Sequence, residues 1–99
     1  MHRSAPFTKM LTATGAAMNI DCGFKPKFVI VYNLTTLVVN FATDTMTAAH
    51  VAQINDSGAD TTNVLHVTSA GITLRPKGFS LGTNADLNTA SDTLHVVAW

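Results

Sequence analysis

Ninety-nine residues make one domain with one modest core, because a chain of this size buries only about two-thirds of its unfolded surface. Charged residues are 12% of the chain, balance to zero and include no glutamate, which speaks against nucleic acid as a partner: phosphate neutralisation needs a clustered excess of Lys and Arg. Beside that neutral balance, 46% hydrophobic residues leave a solitary monomer poorly protected against association, so part of the surface is expected to meet other protein. No apolar run reaches the roughly 20 residues that span a bilayer. Residues Met1–Pro6 lack the apolar stretch of a secretory signal, and Cys22, the one cysteine, has no intrachain disulfide partner, which fits synthesis in a reducing cytoplasm.

Along the chain, residues 1–6 read as a flexible arm and residues 7–99 as a single domain. Phe7–Thr14 alternates well enough for a first strand ending at Gly15. Met18 and Ile20 are the expected inward residues of the next segment, and Pro26 marks a strand start that can spare a backbone donor. Phe28–Tyr32 (FVIVY) is apolar on both faces and rich in β-branched residues, which predicts a strand buried on both sides or placed at a subunit contact. Asn33–Thr36 supplies a turn, and Leu37–Thr43 a partner strand with Leu37, Val39 and Phe41 on one face.

Asp44–Ile54 is the ambiguous stretch. A short helix over residues 45–54 would stack Met46, His50 and Ile54, but the β-rich flanks favour a strand. Asn55–Gly58 signals a turn that runs on as a loop through Thr62, after which Val64–Thr68 is expected to pair with the closing strand, whose apolar-His-Val text it shares. Ile72–Leu74 and Phe79–Leu81 flank a Pro76-Lys77-Gly78 turn. A polar loop, Gly82–Asp92, then leads into the closing strand Thr93–Trp99, with Leu94, Val96 and Ala98 on one face and His95, Val97 and Trp99 on the other. A terminal Trp suggests an end held in a sheet or against a second subunit. About seven short strands with Gly, Pro, Asn and Asp between them point to an all-β fold, a small antiparallel β-sandwich, with an immunoglobulin-like topology also compatible.

The closing segment carries a family resemblance through Gly71, Gly78, Phe79, Gly82, Thr83, Asn84, Ala85, Asn88, Thr93, His95, Ala98 and Trp99, with a fainter echo in Gly23-Phe24-Lys25-Pro26-Lys27-Phe28-Val29. Covering roughly a third of the chain, it resembles small virion proteins of tailed bacteriophages, which occur as capsid decoration (cement) proteins and as terminal modules of fibres. The resemblance implies a structural protein, assembled in the host cytoplasm, that sits on the virion head surface as a homotrimer and strengthens the shell of major capsid protein. Phe79, His95, Val97 and Trp99 are then the expected subunit interface. Arg3, Pro6, Lys25, Lys27, Arg75 and Lys77, an arm and two basic turns, are the expected capsid contact, although scattered solvated charges would look the same. The alternative is a glycan-recognising module of a tail or head fibre, and a small host-encoded sandwich with an enzymatic or metal role is a third reading, kept open by the histidines.

No residue set reads as catalytic. Ser57 in Asp56-Ser57-Gly58 has no base placed beside it, and no glycine-rich loop opens a helix to cradle phosphate. Neither cofactor nor metal is expected: His66 and His95 could face each other across a sheet, with His50 in reach only if the middle segment folds back, but zinc wants more ligands in fixed geometry. A histidine at a subunit contact could also loosen assembly on acidification. The alternating Asn84, Asp86 and Asn88 resemble the opening of a calcium loop but lack its glycine and distal glutamate, so a self-bonded Asx turn is the simpler expectation.

Overall fold

The computed structural model describes residues 6–55 and 64–99. Strands β1 (Phe7–Thr12), β2 (Met18–Asp21), β3 (Phe28–Asn33), β4 (Val38–Thr43), β5 (Val51–Ile54), β6 (Val64–Val67), β7 (Ile72–Arg75), β8 (Gly78–Leu81) and β9 (Thr93–Ala98) follow in order. They form two antiparallel sheets, one of six strands in the order β1-β9-β3-β4-β5-β6 and one of three in the order β2-β8-β7. The expected all-β sandwich is therefore found, with more strands than the punctuation suggested. The meander β3-β4-β5-β6 on one sheet departs from the immunoglobulin arrangement.

The inner face of the larger sheet presents Val29, Val31, Ala42, Val51, Leu94, Val96 and Ala98, all buried, and Ile20, Ile72, Phe79 and Leu81 of the smaller sheet close over them. The smaller sheet is too narrow to cover six strands. The loop of residues 82–92 completes the second layer, anchored by the fully buried Leu87. It sits over a line of buried amides. Gln53 Nε2 donates to Asn40 Oδ1 (2.8 Å) and Asn84 Oδ1 (2.7 Å), Asn40 Nδ2 to the Asp86 carbonyl (3.1 Å), and Asn33 Nδ2 to Asp92 Oδ2 (2.8 Å). Buried polar groups are tolerable when every one is partnered, and here they fix the loop to the sheet.

Turn chemistry explains the joints. The turn expected at Asn33–Thr36 is present, with Asn33 Oδ1 accepting from the amides of Thr35 and Thr36 as in an Asx turn, but Leu37 belongs to that turn with a φ of 60° and is exposed. The strand starts at Val38, so Val38, Asn40 and Ala42 turn inward, and Val39 and Phe41 outward without Leu37 beside them. Gly78 lies against β2, where an added β-carbon would overlap the Ile20 carbonyl oxygen. The helix alternative over residues 45–54 is not realised: residues 44–49 form turns and Val51–Ile54 is strand. Nor does Val64–Val67 pair with the closing strand; it pairs with β5, and β3, β4 and β5 separate it from β9. The arm of residues 1–5 and the Asp56-Ser57-Gly58 turn with its loop lie outside the described residues.

Candidate functional site

Strand register builds two rows across the outer face of the larger sheet. One runs Thr8, Val97, Ile30, Phe41, Ala52, His66, and the next runs Met10, His95, Tyr32, Val39, Ile54, Val64. Neither row contains Asp, Glu, Lys or Arg, and Thr8, His66 and His95 are its only polar members besides the Tyr32 hydroxyl. The smaller sheet covers the opposite side, and among the described residues no second layer lies over this one. Met10 is 66% exposed, Val64 63% and Ile54 45%, while Ile30, Tyr32, Val39, Phe41 and Val97 are half-buried by their neighbours alone. Phe28 and Phe41 add a tilted ring pair with centroids 6.2 Å apart, and Tyr32 and His95 stack at 6.4 Å. An open depression of about 360 Å³ along β1 and β9 includes Met10, His95 and Val97 in its lining. Single exposed apolar residues are ordinary on a soluble protein, but a contiguous face of them marks an interaction surface.

The expected interface residues separate on this frame. Val97 and His95 stand in the two rows. Trp99 follows at the strand end, 52% exposed, with its backbone held: its amide donates to the Phe28 carbonyl (2.9 Å) and its carbonyl accepts from Lys27 (2.6 Å). The chain end is thus tied into the sheet as anticipated. Phe79 is the correction. It lies wholly buried between the sheets and offers no surface to a second copy; its alternation partner Leu81 shares that inward face.

The basic turns come together. The Lys77 carbonyl accepts from the amides of Cys22 (2.9 Å) and Gly23 (3.0 Å), so the turn after Arg75 lies beside the connection that bears Lys25 and Lys27. Half-buried Pro6 joins this end, since Phe7 is paired to Ala98; Arg3 lies outside the described residues. The patch is of mixed sign, because Asp21 opposes Gly78 and the Asp44 amide bonds to the Lys27 carbonyl. Arg75 is partly engaged, donating from Nη1 to Ser80 Oγ (3.2 Å). A cleft of about 160 Å³ beside it, lined by Lys25, Asp44, Met46, Ile72 and Leu74 among others, falls short of the ~300 Å³ at which small-molecule pockets begin.

The histidines pair differently from expectation. His66 and His95 lie at opposite sides of the sheet with three strands between them, whereas the middle segment does fold back and brings His50 Nδ1 to 2.9 Å from His66 Nε2. The Asn84-Asp86-Asn88 spacing is spent on folding the loop. Asn84 Oδ1 accepts from the Asp86 amide (3.0 Å), and buried Asn88 accepts from the Gly15 amide (3.0 Å) while donating to the carbonyls of Ala16 (2.7 Å) and Gly82 (3.0 Å). FVIVY, expected to be buried on both sides or at a subunit contact, leaves Ile30 and Tyr32 half-buried on the outer face, and sequence reasoning missed Met10, Val39 and Ile54 as members of that face. The signal was present in FVIVY, whose second apolar face needs a cover that the smaller sheet does not provide. No family model matches the chain, and neither the curated proteins nor the solved structures yielded a match, so this face is interpreted from its own geometry.

Proposed function

We propose that this chain is a structural virion protein, a decoration protein of a tailed-phage head, that works by docking the outer face of its larger sheet against other protein. The observation that carries the reading is that uncharged apolar face. Four strands of six residues and two of four, at about 4.8 Å spacing and about 3.3 Å rise, give a projected area of roughly 500 Å². Side-chain relief raises the accessible area above that figure, toward the ~800 Å² per partner of a stable interface. The occupant that suits it best is a second copy of the same chain, because zero net charge and an uncharged face remove like-charge repulsion between copies. Three copies closing a ring would bury Val97 and His95 with Trp99 at the rim. The basic end, with Pro6, Lys25, Lys27, Arg75 and Lys77, is left to meet the major capsid protein. Each bound trimer then stabilises the shell by mass action, since it binds the assembled lattice and not its separated subunits. Nothing in this role needs catalysis or a cofactor.

A fibre module that recognises glycans would need loop Asn and Asp side chains free to bond a sugar. Asn33, Asn84, Asn88 and Asp92 are instead engaged within the protein, which favours the head reading. The test is twofold: light scattering on the purified chain, expected to give a trimer, and its copy number per virion, expected to be high. A monomer, or a handful of copies per particle together with binding on a glycan array, would overturn it.

A further inference from the structure

We propose that His50 and His66 form a two-imidazole site for a divalent transition-metal ion of the nickel(II) and copper(II) class. The observations behind it are separate from those behind the virion reading, and because His66 lies on the face proposed for docking, the site is open to an ion in the unassembled chain. In the β5–β6 register His66 opposes Ala52, so His50, two residues before Ala52, is its diagonal neighbour on the same outer face. The rings meet edge to face with centroids 5.0 Å apart, and His50 Nδ1 lies 2.9 Å from His66 Nε2. Two facing imidazole nitrogens on an exposed part of the sheet are borderline nitrogen donors, and at such donors affinity rises through Ni(II) to Cu(II) and falls again at Zn(II).

Half of the site is held in advance. The His50 amide donates to the Thr47 carbonyl (3.1 Å) and its carbonyl accepts from Ile72 (3.3 Å). Ala49, in the left-handed conformation just before it, is bonded to Ile72, Thr73 and Gly71. The ion therefore does not have to order this backbone. Without metal, one N–H lies between the two facing nitrogens. On binding, that proton moves to the far nitrogen of its own ring, leaving a lone pair on each facing nitrogen for the ion. Among the described residues no group of three or more His, Cys, Asp or Glu is placed to hold an ion, so those residues supply two ligands. Chelation would also clamp edge strand β6 onto β5.

The test is isothermal titration calorimetry of Ni²⁺ into the full chain carrying His2→Gln, which removes a competing imidazole. One equivalent should bind, and His50→Gln and His66→Gln should each weaken binding by at least roughly tenfold through loss of one arm of the chelate. Zn²⁺ should bind more weakly than Ni²⁺. Circular dichroism of the metal-free variants verifies the fold. Should either variant misfold, Cu²⁺ broadening of ring resonances in the His2→Gln protein replaces it, with His50 and His66 expected to bleach first. Absence of saturable binding below about 1 mM, unchanged affinity in a folded variant, tighter binding of Zn²⁺, or bleaching centred on His95 would overturn the proposal.

Discussion

Ile30 and Val31 are neighbours on one strand with opposite fates if the outer face is an interface. Ile30 stands between Val97 and Phe41 on the outer face and is half-buried; Val31 stands between Val96 and Asn40 on the inner face and is 0% exposed. Ile30→Lys lets the new ammonium snorkel into water in the isolated chain, so the fold should lose no more than about 1 kcal/mol. In an assembly the same lysine forfeits about 1 kcal/mol of remaining apolar burial. It also strands a charge on a face with no carboxylate to pair it, a further cost of about 2 kcal/mol or more. A total near 3 kcal/mol weakens each contact by roughly 100-fold. Val31→Lys instead buries the charge in the core and should unfold a domain whose whole stability is about 5–15 kcal/mol. Light scattering across a dilution series, with thermal melts in parallel, separates the two. An Ile30→Lys chain that assembles like the parent, or one that unfolds while Val31→Lys stays folded, would refute the assignment of faces.

Other perturbations probe the remaining parts. Asn88→Ala removes three hydrogen bonds at about 1 kcal/mol each and should lower the melting temperature by about 10 °C or more without a change of oligomeric state at low temperature. Phe79→Ala empties a fully buried site and should cost about 3–5 kcal/mol in denaturant titrations, as a core residue and not an interface residue does. Trp99→Ala should leave the melt close to the parent's, because the backbone bonds remain, and should weaken self-association in sedimentation runs. Lys25→Glu combined with Lys77→Glu should leave both fold and oligomer intact while reducing attachment to heads lacking the protein, measured by co-sedimentation.

Local chemistry made much of the fold legible. FVIVY is a strand, and the Asn33 side chain turns the chain at that strand's end; of Pro76-Lys77-Gly78, Pro76 and Lys77 form the turn between two short strands while Gly78 opens the second. What failed was long-range. Val64–Val67 shares its text with the closing strand, but shared text does not select a partner, and the meander from β3 to β6 delivered β5 first. Leu37 carries a positive φ with no glycine to announce it. Phe79 sits in a four-residue strand too short for alternation to tell inside from outside. The contact of His50 with His66 is diagonal across strands, so it becomes visible only once register is known. The outer face was half legible: an excess of apolar residues over what one thin layer can cover was evident, but not which residues would remain uncovered.

Whether protein covers that face can be read from side chains directly. A soluble paramagnet added to methyl-labelled chain relaxes methyls in proportion to their access to solvent. At concentrations where the chain assembles, the outer-face residues Met10, Ile54 and Val64, exposed in the single chain, should be protected while Leu37, at 64% exposure in its turn, is bleached. Bleaching of the three outer-face residues as strong as that of Leu37, at every concentration reached, would contradict docking through this sheet.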